Sequence, residues 1–147
     1  MWGEDSEVRE GMKLTTVLVV DDDAEIRQAL AELLEDEEYG VRLAANGKEA
    51  LEMVSGGLRP DVILLDVMMP VMDGWHFLSA RLKYPELVEV PIIIISAGQE
   101  AEREAYKVGV FEVAKKPLHV DDLIHRIEDC RRRAMGGARH DRASPAL

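Results

Sequence analysis

The sequence predicts an α/β protein built on one parallel β-sheet with helices on both faces. Short apolar runs rich in Val, Ile and Leu alternate five times with segments of helical periodicity. The run at 62–65 is continuously apolar, which is typical of a central strand buried on both faces of a parallel sheet. Polar or charged residues close several of the runs, at the strand ends where open α/β sheets bind ligands. These observations together predict a doubly wound fold with a site at one sheet edge.

Five strands and five helices follow in order. The predicted strands are residues 14–20, 41–44, 62–66, 92–95 and 111–115. The predicted helices are residues 24–35, a segment around 47–54, a segment that begins at Asp73-Gly74, and residues 100–108 and 120–131. Four of the five helices carry a set of apolar residues at helical spacing, and we expect the set of the last helix to point inward. The four sets are Ile26, Leu30, Leu33 and Leu34; Ala50, Leu51 and Val54; Trp75, Leu78 and Leu82; and Leu123, Ile127 and Cys130.

Length and composition fit a single cytoplasmic domain. The 147 residues can bury a core without disulfides, and the lone Cys130 suits a reducing compartment. The net charge of −11 argues against direct nucleic-acid binding, and no run is long enough to span a membrane. We expect residues 1–12 to be a flexible lead, residues 13–133 to be the domain, and residues 134–147 to be a disordered tail.

The strand-terminal polar residues predict a phosphoryl-transfer site. Asp21 and Asp22 follow the first strand, and Asp66 ends the third. In a flavodoxin-like (βα)5 sheet of order 2-1-3-4-5 these strands are neighbours, so their carboxylates converge. Such a cluster needs a cation, and Mg²⁺ suits it, with Mn²⁺ able to take its place. Ser96 and Lys116 would then supply a hydrogen bond and a charge to a phosphoryl group on Asp66.

Each of these residues also has a structural explanation when it is taken alone. Asp21, Asp22 and Asp23 could be caps of the first helix, and we assign that role to Asp23. Ser96 could be an ordinary loop serine and Lys116 ordinary surface charge. Their joint placement at the ends of four strands is what favours a functional site.

Four sequence motifs resemble the receiver domain of bacterial two-component response regulators, in its single-domain, stand-alone form. They are VLVVDDD at 17–23, LLDVMMPVMDG at 64–74, IISA at 94–97 and KKP at 115–117. The resemblance implies that Asp66 accepts a phosphoryl group from a histidine kinase or a small phosphodonor. It also implies the following roles: metal ligation by Asp21, Asp22, Asp66 and the backbone carbonyl of Met68, a switch hydroxyl on Ser96, and a phosphate-binding Lys116 with a cis bond to Pro117.

The output side of the resemblance departs from the family at one position. Val113 stands where the family has a switch aromatic, so the usual coupling through a turning ring is in doubt. The family signals to a protein partner through the face of helix four, strand five and helix five, to which Tyr106 and Lys115 would belong. Neither Met68 nor Gly98 can position a hydrolytic water, which predicts slow dephosphorylation.

Two other functions remain open at this point. Asp21-x-Asp23 with Ser96 and a later lysine also resembles haloacid dehalogenase-type phosphatases, although Asp121-Asp122 falls at a helix start rather than after a strand. A receiver-like scaffold that is never phosphorylated is the other. Our first interpretation is a signalling switch rather than a conventional enzyme, monomeric or dimerising on phosphorylation.

Overall fold

A five-stranded parallel sheet forms the centre of the protein in this computed structural model, which describes residues 8–9, 12–67, 73–96, 103 and 112–135. The strands are β1 (Thr16–Val20), β2 (Gly40–Ala44), β3 (Val62–Asp66), β4 (Ile92–Ser96) and β5 (Glu112–Lys115). They lie in the order β2-β1-β3-β4-β5, and every neighbouring pair is parallel. The predicted fold class and strand order are confirmed.

Four helices are described around this sheet. They are α1 (Ala24–Asp36), α2 (Gly47–Ser55), α3 (Gly74–Ala80), which continues as a 3₁₀ turn over Arg81–Lys83, and α4 (Val120–Met135). α4 corresponds to the fifth predicted helix, because the fourth lies outside the described residues except for Arg103. None of the described helices combines the length and apolar character needed to cross a membrane.

The chain before β1 contains an element that the sequence did not predict. Val8–Arg9 and Met12–Lys13 pair as two short antiparallel strands, within and just after the stretch expected to be a flexible lead. β1 itself begins two residues later than predicted, at Thr16, which pairs with Gly40 and donates its N–H to the Asp61 carboxylate at 2.8 Å.

Alternate residues of each strand point to two separate cores. Leu18 and Val20 of β1 pack with residues of α2 and α3, whereas Val17 and Val19 pack with residues of α1 and α4. Such alternation follows from the two-residue repeat of a strand. The inward positions predicted for α4 are confirmed, because Leu123, Ile127 and Cys130 are all buried. Trp75 is partly buried against the core.

Two apolar residues of the predicted helical patterns lie outside the core. Leu82 was predicted on the same side of its helix as Trp75 and Leu78, but the residue is 61% exposed. α3 ends at Ala80 and tightens into a 3₁₀ turn, which advances each residue further around the axis than an α-helix does. Arg81 therefore takes the inward position and is only 8% exposed. On α1, Leu33 is likewise exposed and lies at the edge of the apolar face.

Candidate functional site

Three carboxylates converge at the carboxyl ends of β1 and β3. Val20 and Leu65 are paired across these two neighbouring strands, so Asp21, the residue after β1, lies beside Asp66, the last residue of β3. Asp21, Asp22 and Asp66 each offer one oxygen, and these three oxygens lie within 4.8 Å of one another. Asp21 and Asp66 are buried, whereas Asp22 is exposed. The site is therefore an acidic pocket with one open side.

Three hydrogen bonds fix Asp21, and one of its carboxylate oxygens has no partner among the described residues. Its N–H donates to the carbonyl of Ala44 at 3.1 Å, and its Oδ1 accepts the N–H of Asp23 at 2.9 Å. Its carbonyl accepts a hydrogen bond from Arg27 Nη1 at 2.7 Å. Asp21 Oδ2 is buried and has no hydrogen-bond partner among the described residues. A buried acceptor without a partner is costly, so this oxygen is one that a ligand would satisfy.

The electrostatics of the pocket also favour a bound cation. The pKa of Asp21 is raised from 3.8 to about 6, with burial as the largest cause; the hydrogen bond from Asp23 and the charge of Lys116 act to lower it, whereas the charges of Asp66 and Asp22 add to the rise. Clustered carboxylates resist ionising together unless a positive charge compensates them. Oxygen donors of this kind are the ligands that Mg²⁺ prefers. The residues present thus fit a divalent ion, with Asp21 Oδ2 as its free buried donor.

Asp23 has a different task from its two neighbours. It is the N-cap of α1, and its Oδ1 accepts the N–H groups of Glu25 at 2.9 Å and Ile26 at 3.3 Å. The capping role expected for this residue is confirmed. Because its carboxylate is bound to the helix end, Asp23 is not a member of the acidic pocket.

A glycine determines how closely α3 approaches the segment after Asp66. The N–H of Gly74 donates to the carbonyl of Val67 at 3.1 Å, and Asp73 caps the helix by accepting the N–H of His76 at 2.9 Å. A Cβ on Gly74 would lie 2.5 Å from Val67 Cα and 3.1 Å from the carbonyl of Asp66. Only glycine fits here, a requirement that sequence reasoning missed because Asp73-Gly74 predicted only a helix start.

The remaining predicted site residues are described to different extents. Lys116 follows β5 and is partly buried, and its positive charge acts to lower the pKa of Asp21. The peptide bond between Lys116 and Pro117 is cis, as the resemblance implied. The backbone of Ser96 ends β4 beside Lys115 of β5, but the side chain of Ser96 lies outside the described residues. Met68, Gly98 and Tyr106 lie wholly outside them.

Two residues of the output side are described. Val113 is partly buried and packs against the core between the sheet and helices α2 and α3, and Lys115 is exposed. The side chain of Val113 is thus in contact with the apolar residues of this core.

Comparison with known proteins identifies the family. The family model described as "Response regulator receiver domain" matches residues 17–128, which include all three aspartates of the acidic pocket. The chain belongs to the response regulator receiver domain family. Receiver domains are phosphorylation-dependent signalling switches rather than conventional enzymes, and they generally bind Mg²⁺ at an acidic pocket.

Individual relatives agree with this assignment. Response regulator MprA of Mycobacterium sp. (strain KMS) is 35% identical over 133 residues, which cover 89% of this chain and 56% of that protein. Probable transcriptional regulator ycf29 of Porphyra purpurea is 29% identical over 115 residues, 77% of this chain and 54% of that protein. The chain thus spans about half the length of these relatives.

Solved structures share the fold. Chemotaxis protein CheY4 of Vibrio cholerae matches with a TM-score of 0.74 and 34% identity, over 80% of this chain and 98% of that one. The Francisella response regulator 1452 receiver domain matches with a TM-score of 0.73 and 35% identity, over 81% of this chain and 98% of that one. In both comparisons nearly the whole of the solved chain matches about four fifths of this chain.

Proposed function

We propose that Asp66 accepts a phosphoryl group from the phosphohistidine of a histidine kinase, or from a small phosphodonor, in the cytoplasm. The observation that carries this proposal is the convergence of oxygens from Asp21, Asp22 and Asp66 within 4.8 Å. Asp66 is the member of this cluster that ends the central strand β3. Carboxylates at such positions can form aspartyl-phosphate intermediates.

The transfer exchanges one bond to phosphorus for another. An Asp66 oxygen attacks the phosphorus, the P–N bond of the phosphohistidine breaks, and its electron pair leaves with the imidazole. Asp21, Asp22, Asp66 and the Met68 carbonyl would hold Mg²⁺, or Mn²⁺ in its place. When bound, the ion neutralises charge on the phosphoryl oxygens. Lys116 would place its ammonium on a further phosphoryl oxygen, and Ser96 would donate a hydrogen bond to one.

Phosphorylation would then signal through a change of charge at the strand ends. The phosphoryl group adds about −1.5 to −2 charges and three acceptor oxygens. Ser96 at the end of β4 and Lys116 after β5 would both be drawn to it. The face formed by the fourth predicted helix, β5 and α4 would change shape and meet a downstream protein partner. Residue 113 is a valine that packs on the core, so this change would proceed without the rotation of an aromatic side chain at that position.

The phosphatase alternative is weakened by two observations. It needs Asp21 as nucleophile with Asp23 beside it as a free acid, but Asp23 caps α1. It also needs a further acidic pair after a strand, and Asp121 and Asp122 lie in the first turn of α4.

The test is phosphorylation by a small donor. We expect incubation with acetyl phosphate and Mg²⁺ to add one phosphoryl group by intact mass, and Asp66→Asn to add none. Asp73→Asn is the matched control, because asparagine can still cap α3 and the modification should persist. A phosphoryl group that depends on Asp21 but not on Asp66 would indicate the phosphatase, and no modification at all would indicate a scaffold.

A further inference from the structure

We propose that Arg27 is a positioning residue for the divalent ion, because it clamps the peptide group that joins Asp21 to Asp22. This inference rests on the proposed function, since it concerns the metal site of the phosphoryl-transfer reaction. Arg27 lies on α1 outside the acidic cluster, and no sequence motif assigns it to the site.

The clamp joins the first turns of α1 to the end of β1. Arg27 Nη1 donates to the carbonyl of Asp21 at 2.7 Å, the short distance expected when the donor is charged. The backbone N–H of Arg27 donates to the carbonyl of Asp23 at 2.9 Å, so its own position is fixed by the helix. The side chain is partly buried, which limits competition from water. Arg27 thus braces the three-residue connection between β1 and α1.

The clamped carbonyl belongs to a planar group that orients two ligands. The Asp21 carbonyl and the Asp22 nitrogen share one peptide plane. If this plane rotates, ψ of Asp21 and φ of Asp22 change, and the exposed Asp22 carboxylate swings relative to Asp66. The N–H of Asp21 is bonded to the carbonyl of Ala44 in the sheet, and its Oδ1 accepts the N–H of Asp23. Arg27 adds the bond to the carbonyl on the far side of this peptide, and so helps to fix the spacing of the acidic oxygens.

Charge and geometry predict opposite effects for this residue. A guanidinium near a cation site repels the cation, so removing it should strengthen metal binding if charge alone mattered. A residue that orients the ligands should weaken metal binding when it is removed, typically by 10- to 100-fold for groups that support metal ligands. The direction of the change therefore separates the two roles.

The experiment is a calorimetric titration of the full chain with Mg²⁺. We expect Arg27→Met, which keeps an unbranched apolar stem and loses the charge and the donors, to bind Mg²⁺ about 10-fold more weakly than the wild type. Arg27→Lys keeps the charge and one donor site but not the planar fork, and should bind several-fold more weakly. Arg59→Met is the matched control, because Arg59 Nη1 also donates to backbone carbonyls, those of Val54 at 2.9 Å and Leu58 at 2.8 Å, away from the acidic pocket. Its Mg²⁺ affinity should be unchanged.

The outcomes separate this inference from the proposed function. Wild-type affinity or tighter binding in Arg27→Met overturns the clamp and leaves the metal site standing. No Mg²⁺ binding by the wild type overturns both. If Arg27→Met does not fold by circular dichroism, Arg27→Lys decides alone: weaker binding at unchanged charge supports the clamp, and wild-type affinity overturns it.

Discussion

Replacing Asp21 with asparagine should stabilise the metal-free protein near neutral pH. The pKa of Asp21 is raised from 3.8 to about 6, chiefly by burial, so its ionised form is disfavoured in the folded state. A pKa difference of about 2 units corresponds to up to about 3 kcal/mol at a pH above both values. Asparagine keeps an oxygen for the N–H of Asp23 and puts an N–H donor where the unpartnered Oδ2 now lies.

The pH dependence has a definite sign. Because the pKa in the folded state lies above that in the unfolded state, the stabilising contribution of Asp21 is complete below about pH 4 and is lost as the pH rises through about 6. The advantage of Asp21→Asn should therefore be about a third as large at pH 4.5 as at pH 7.5, where it is complete.

Urea unfolding in EDTA at these two pH values measures the free energy of unfolding of the wild type and the variant. Asp22→Asn is the control, because Asp22 is exposed and its replacement should change this free energy less. Saturating Mg²⁺ should reverse the order, because ligand binding stabilises the wild type more than the variant. A variant that is less stable than the wild type at pH 7.5 without metal would refute the reasoning. So would an advantage of equal size at both pH values.

Three further predictions concern packing, ion pairing and lifetime. Gly74→Ala should lose about 1–3 kcal/mol in urea unfolding, because its Cβ would meet Val67, whereas Gly56→Ala, whose nearest neighbour is 3.5 Å away, should be tolerated. Glu112→Gln should lose about 1 kcal/mol, and less at 1 M salt, because it weakens both ion pairs to the arginines of α4; equal losses at low and high salt would contradict this. Met68→Asn should speed dephosphorylation followed by intact mass, and an unchanged half-life would count against our account of lifetime.

Short-range sequence patterns are enough to predict most of the fold and the acidic part of the site. Continuous apolar runs at 17–20, 62–65 and 92–95 predict the three buried central strands, and the residue at each strand end follows directly from the run before it. The convergence of Asp21 and Asp66 then needs only the strand order, because parallel neighbours end at the same sheet edge. This is why these residues could be named from the sequence.

Contacts without a periodic signature could not be predicted in this way. The bond from Arg27 to the carbonyl of Asp21 joins a side chain to a backbone group, which any residue offers. The close approach of Gly74 to Val67 depends on the position of a helix against a loop. The inward turn of Arg81 depends on where an α-helix becomes a 3₁₀ turn, and propensity locates helix ends poorly.

The most direct measurement of the central claim is the rate of phosphoryl incorporation from acetyl phosphate as Mg²⁺ is titrated, with the modified peptide mapped by mass spectrometry. The account predicts a rate that saturates with Mg²⁺, falls to background in EDTA, and places the phosphoryl group on the peptide that contains Asp66. Incorporation that is indifferent to EDTA, or that persists in Asp66→Asn, would contradict it.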